Sequence, residues 1–271
     1  MALAQLLLAG QVRSRAYWSA VDAAGPEDVD AVLALVGHED AGIRRAVAST
    51  LPLLSQGDPP TQAMVGACIT LSADPDDSVR DWACCALGRQ WHEVDTPELR
   101  DALAARLDDE HVDTRCEALV GLALRRDERA LPRVVEALSR DTEEVWSMEL
   151  AAAGALGDPR LHELVREHRD GWDDEDAERT AEAALRLTSP EGPGQDVVDG
   201  VAELYRLRAH GLDEGDAVTA WHLMDSLLDL APHRAPEFLD LVLAKLDGDP
   251  LAQEQVRHQS ALAVLAEAAH R

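Results

Sequence analysis

Asparagine is absent from this chain of 271 residues, phenylalanine occurs once, and a single lysine, Lys245, stands beside 24 arginines. Without asparagine, the helix caps and turns must come from Asp, Ser, Thr and Gly. Aromatics make up 3% of the chain and apolar residues 46%. Ala, Leu and Val must therefore build the core, which suits closely packed helices and predicts an all-α protein. No apolar stretch approaches the length that spans a membrane. The four cysteines, Cys68, Cys84, Cys85 and Cys116, show no C-x-x-C spacing, so reduced thiols in a cytoplasmic protein are expected rather than disulfides. The opening MALAQLLLAGQVRSR lacks a charged leader before its short apolar run. It reads as a helix covering one end of a core and not as a signal peptide. Arginine in place of lysine fits a GC-rich bacterial genome or adaptation to salt.

Basic side chains are scarce as a class: 25 against 52 acidic ones, a formal charge of −27. The excess is not a tail, since residues up to 195 hold 38 acids against 19 bases and the remainder 14 against 6. Such a field repels nucleic acid and anionic membranes, and speeds encounter with basic partners. Solubility alone also accounts for it.

What the chain does have is a repeat. AGIRRAVASTL (41–51), DSVRDWACCAL (77–87) and VDTRCEALVGL (112–122) share an arginine, a small residue (Val or Ala) three later and leucine seven later. The arginines Arg44, Arg80 and Arg115 lie 36 and 35 residues apart, and a period near 35 indicates a solenoid. Copies at 145–156 and 175–185 put Glu149 and Glu178 in the arginine position, and EQVRHQSALAVL (254–265) restores it as Arg257. Each unit divides into two helices. TPELRDALAARLDD opens with Thr96 as cap and Pro97 in the first turn, then places Leu99, Leu103 and Leu107 on one face. In DPDDSVRDWACCALG (74–88), Asp77 or Ser78 caps the second helix, and Ala and Gly along its stripe let neighbouring helices approach closely.

These segments, with DTRCEALVGLALRRDERALPRVVEAL, resemble HEAT repeats, specifically the short HEAT-like class named after phycobilin lyases. The likeness covers residues 26 to about 188 well and 196–271 loosely. It implies an all-α, right-handed α-α superhelix of about seven helical hairpins. Residues 1–25 would form N-terminal capping helices, 26–188 about five repeats, 189–195 a loop and 196–271 degenerate repeats. In the last segment helices are expected at 196–209, 214–230, 235–247 and 250–269, either continuing the coil or forming a small separate domain. The resemblance further implies a structural ladder in which Arg44, Arg80, Arg115 and Arg257 join acidic turn residues, interrupted at Glu149 and Glu178. The class includes scaffolds, bilin lyases and binding proteins, so it is poor evidence for activity.

Helix phase outlines a binding strip. With Val79, Ala83 and Leu87 turned inward, Asp81, Cys85 and Gly88 face away, with Arg45, Ser49 and Pro52, and Cys116, Val120 and Ala123, as equivalents. The strip is small-sided and weakly charged. Trp91 with His92, and Trp146, are expected near turns, where an exposed indole anchors a partner. Trp82 reads as packed, with Trp172 and Trp221 near turns or on amphipathic helices. His162 and His168 are six apart, so they diverge by about 120° and do not make a helical zinc pair. His111 and Cys116 in HVDTRCE (111–117) suggest a Cys-His nucleophile only if the imidazole reaches the thiol. DGWDDEDAE (170–178) lacks calcium-loop spacing. No metal or cofactor is expected. The reading that follows is a non-catalytic scaffold, adaptor- or immunity-like, binding a basic protein or peptide on its concave face. The alternative is a small-molecule binder or lyase-like enzyme with a Trp/His/Cys-lined groove.

Overall fold

The computed structural model describes residues 2–55, 59–192 and 194–268, and every regular element among them is a helix. The chain divides into two compact units, Met1–Arg133 and Val134–Arg271. The division falls within a helix, not at the Pro/Gly-rich segment 188–195, of which Pro193 lies outside the described residues.

The first unit begins with α1 (Leu3–Leu8) and α2 (Arg15–Asp22). Leu3, Leu6 and Leu7 of α1 are fully buried, and the helix packs on α2 and on the first hairpin. Three hairpins follow: α3 (Pro26–Leu33) with α4 (Ala41–Thr50), α5 (Gln62–Leu71) with α6 (Asp77–Cys85), and α7 (Pro97–Ala104) with α8 (Val112–Leu124). Helices α3, α5 and α7 stack in one row and α4, α6 and α8 in a second, the arrangement of a helical-repeat protein. The caps are supplied without asparagine: Ser14, Asp40, Thr61, Asp76 and Thr96 each accept a backbone N–H from the first turn they precede. The cap of α6 is Asp76, not the expected Asp77 or Ser78, because its carboxylate reaches the Val79 amide at 3.2 Å.

Two of the repeat arginines link a second helix to the turn that leads into the next one. Arg44 donates Nε and Nη2 to Asp74 at 2.7 and 2.8 Å, and Arg80 does the same to Asp109 at 2.8 and 2.7 Å. The remaining arm of each folds back on its own turn: Arg44 Nη1 meets the carbonyls of His38 and Glu39, and Arg80 Nη1 those of Asp74 and Pro75. Arg115 keeps only this second half, with Nη1 on the Asp109 and Glu110 carbonyls, and no described carboxylate pairs with it. Arg257 is exposed, and among the described residues it bonds only the Gln253 side chain, one turn earlier on its own helix. The expected ladder role thus does not hold for Arg257, nor fully for Arg115.

After α6 the chain widens into a π-helical turn, Ala86–Gln90. Against it lies Arg125, a buried arginine that sequence periodicity does not mark. Its five N–H groups all reach backbone carbonyls, those of Val94, Gly88, Gly121, Leu87 and Trp91, at 2.7–3.0 Å. On the first-helix side, Arg100 and Arg129 converge on Asp127 and hold its carboxyl well below the usual carboxylate range.

Helix α9 (Ala130–Leu138) spans the division. The second unit continues with α10 (Ser147–Leu156), α11 (His162–Glu167), α12 (Glu175–Leu187), α13 (Gln195–Ala209), α14 (Ala217–Leu230), α15 (Ala235–Lys245), α16 (Pro250–Gln259) and α17 (Ala261–Ala268). Helices α10, α12 and α14 pack in series, and α13 packs on α14, α15 and α16. Ala183 and Leu187 of α12 share one core with Val201, Leu227 and Phe238, so the degenerate helices are not a separate body from α12. The single helix expected at 250–269 is two, and residue 269 lies outside the described residues. Ser260 breaks it by adopting extended backbone and capping the Ala263 amide at 3.0 Å. Glu149, in the arginine position of its copy, accepts the Trp146 amide at 2.9 Å and pairs with Arg140. The charge at that position is reversed, yet it is still answered.

Candidate functional site

The second-helix row of the first unit brings together the charged part of the expected strip. Asp81 and Cys85 lie one turn apart on α6, both half-buried. Arg89, from the π turn, reaches α8 and grips the buried Glu117, Nε to Oε2 at 2.7 Å and Nη2 to Oε1 at 2.5 Å. Asp81 has no such partner among the described residues. Burial first, then the nearby charges of Glu117 and Asp113, push its carboxyl up to about 6. The result is an acidic site, Asp81 with the buried Glu117 and the exposed Asp113, in which Arg89 is already committed to Glu117 and the His111 imidazole lies 3.9 Å from Asp113.

Cys85 receives long contacts from Arg89 and Gln90 at 3.7 and 3.5 Å, while burial and then Glu117 push its thiol up, away from the thiolate. A nucleophile needs the opposite. His111 caps α8, its Nδ1 3.2 Å from the Thr114 hydroxyl, and Cys116 is buried. Cys68 and Cys84 are likewise buried, with thiols pushed upward by desolvation. His162 lies 3.5 Å from Thr188 Oγ1, and His168 donates Nε2–H to the Leu138 carbonyl at 2.8 Å, so each imidazole serves a packing contact. Among the described residues no group of three His, Cys, Asp or Glu is placed to hold a metal ion. No helix there is long and apolar enough to cross a membrane.

The strip is only partly a surface. Arg45 is exposed and Ser49 half-buried, its hydroxyl donated to the Ala46 carbonyl at 3.2 Å. Cys116 and Val120 are buried, as are the neighbouring Ala123, Pro52 and Gly88. The reason lies in α8 itself: Cys116, Ala118, Leu119, Val120, Leu122 and Ala123 make it apolar nearly all round, and such a helix is buried on all sides. Trp91 is corrected too. It is only 4% exposed, because the π turn delays the helix end by a residue and swings the indole inward. His92 remains half-buried, its Nδ1–H donated to the Arg89 carbonyl at 3.1 Å. A groove lined jointly by Trp91, Cys85 and Cys116 therefore does not form. Trp146, in the second unit, is 51% exposed at the start of α10. Trp82 is half-buried beneath Arg13, Trp172 donates Nε1–H to the His168 carbonyl, and Trp221 packs edge-on against Tyr205. Arg89 and Glu117, the pair that spans the face, went unmarked in the sequence because they fall outside the shared arginine and leucine positions.

The stacked hairpins with their arginine links define a helical-repeat protein of HEAT-like build. Residues 65–153 match the family of HEAT repeats, a segment that contains Arg80, Asp109 and Arg115. Over 123 residues the chain is 31% identical to Protein YibA of Escherichia coli strain K12, and equally to Protein YibA of Escherichia coli O157:H7. That match takes in 45% of this chain, and the chain spans only 41% of the length of those relatives. An X-ray structure of Escherichia coli YibA is 18% identical and covers 68% of this chain and 81% of its own, at a TM-score of 0.41.

Proposed function

We propose that the protein is a non-catalytic HEAT-like scaffold whose second-helix face receives a basic protein or peptide, as an adaptor or an immunity protein does. One observation carries the reading. Asp81 is half-buried, carries no partner among the described residues and feels the charges of Glu117 and Asp113. A lysine or arginine brought there by a partner would relieve repulsion that the fold leaves in place, and gain from the reduced dielectric of a half-buried site. The charge of −27 would steer such a partner from a distance. Four free cysteines, three of them buried, accord with a reducing cytoplasm.

The test is capture from native lysate on the immobilised full chain, run with wild type, D81N and D81N/D113N at low and high salt. A partner held by this face elutes on raising the salt and is lost stepwise from the two variants. A captured protein indifferent to both salt and the substitutions would overturn the reading, as would capture of nothing by wild type.

A further inference from the structure

We propose a second site in the first unit, a cleft between α1 and the start of α4 that binds a small amphipathic organic anion: a carboxylate or phosphate ester on a hydrophobic body. The cleft has a volume of about 750 Å³ and is bordered by Leu7, Leu8 and Ile43, by Arg13 and Arg45, and by Trp82. That is within the range of small-ligand pockets, roughly 300–1,000 Å³.

Its charge is the unexpected part. In this unit Arg44, Arg80, Arg89, Arg100 and Arg129 each hold a carboxylate. Arg13 and Arg45 are exposed, and no described carboxylate lies within ion-pairing distance of either. Arg115 and Arg125 also lack a carboxylate but spend their N–H groups on backbone carbonyls. Arg13 and Arg45 have no described hydrogen-bond partner and both line one cleft, in a chain with 52 acids and 25 bases. The one carboxylate in the wall, Asp40, is turned onto the Gly42 amide at 2.7 Å. Arg13 sits over the Trp82 ring, 5.9 Å from its centroid. A cation–π contact of that length holds the charge beside the indole, and no described residue accepts a hydrogen bond from the Arg13 N–H groups, which leaves them for an anion. Arg13 also holds φ at 65°, left-handed backbone that among the described non-glycine residues only Arg126 shares. An L residue is kept there at a cost. In the same wall Leu8 is 48% exposed, offering apolar surface for the body of the ligand. This cleft calls for an anion and the face at Asp81 for a cation, so the two readings stand or fall separately.

Calorimetric titration of the full chain with octanoate, octyl phosphate and octan-1-ol tests it. At least one of the two anions binds, and the alcohol binds at least roughly tenfold more weakly. R13Q and R45Q each weaken the anion roughly tenfold, while R257Q, at an exposed arginine of the second unit, leaves it unchanged. Which anion binds tells a carboxylate head from a phosphate one. R13K and R45K keep the charge without the fork and fall between wild type and the glutamine variants, which separates recognition from any loss of fold. Absence of heat with both anions, equal affinity for the alcohol, or undiminished binding in R13Q and R45Q would overturn the proposal.

Discussion

Gly88 and Gly121 meet backbone to backbone where the π turn after α6 lies against α8. A Cβ built on Gly121 would fall 2.5 Å from the Gly88 Cα, and one built on Gly88 would fall 2.8 Å from the Glu117 carbonyl oxygen. Neither contact involves the end of a flexible side chain, so the helices themselves would have to separate. G121A and G88A should each lower stability by about 2–3 kcal/mol, the cost of overpacking a tight interface. Urea unfolding followed by far-UV circular dichroism measures it. G66A is the control, because a Cβ there meets nothing within 4 Å.

That close approach also brings carbonyls of the π turn, the loop after it and α8 within reach of one side chain. Arg125 satisfies five of them and has no carboxylate of its own, and burial pushes its guanidinium down to about 10, still protonated at neutral pH. R125M preserves the apolar stem but leaves the acceptors without their donor, and should cost about 3 kcal/mol or more. R125K retains a charge with three donors in place of five and should lie between the two. Midpoints of urea unfolding for the three proteins rank them.

The regular parts of this arrangement were legible in the sequence. Arg44 and Arg80 recur at the repeat spacing, and Thr96-Pro97 is a cap signal with a local mechanism. Their partners were less so, because Asp74 and Asp109 sit among other turn carboxylates and nothing local says which one a guanidinium from the neighbouring hairpin will reach. Trp91 misled for a related reason: GRQ before it reads as a polar helix end, whereas an extra residue per turn carries the indole into the core. Arg125 left no trace at all, since an arginine that caps carbonyls needs no acidic neighbour to betray it. The third copy of the strip, Cys116 and Val120, is buried because alternation into inward and outward faces presumes an amphipathic helix, and α8 is not one.

The Arg80–Asp109 link is nearly shielded from water, with side chains 14% and 3% exposed, and Asp109 also accepts the His111 amide. Hydrogen bonds to charged groups of this kind are worth about 2 kcal/mol, so D109N should cost about that much. An R80Q/D109N double-mutant cycle should return a coupling of about 1 kcal/mol or more. Asp74 and Asp109 are held below the usual carboxylate range, Asp74 chiefly by the bond from Arg44, and Asp109 by Arg80 and the His111 amide against its burial. The folded state therefore takes up protons less readily than the unfolded chain. The stability from these pairs is present in full above a pH of about 4 and falls away as the pH drops below it. D109N should lose part of that acid sensitivity.

Asp81 works in the other sense. Its carboxyl is raised to about 6 in the folded protein, against about 4 when unfolded, so between those values the native state holds the extra proton. Stability from this residue is present below pH 4 and is lost as the pH climbs through 6. Because the side chain is partly solvated, about 1–2 kcal/mol is at stake after allowing for screening. D81N, which cannot ionise, should match wild type near pH 4 and exceed it by that amount at pH 7, in urea unfolding at the two pH values. The same substitution should weaken capture of a basic partner. A variant that gains stability while losing its partner would identify Asp81 as a charge kept for binding at the expense of the fold. If D81N proved less stable than wild type at pH 7, the carboxylate would instead be meeting a structural need, and the binding role assigned to this face would lose its main support.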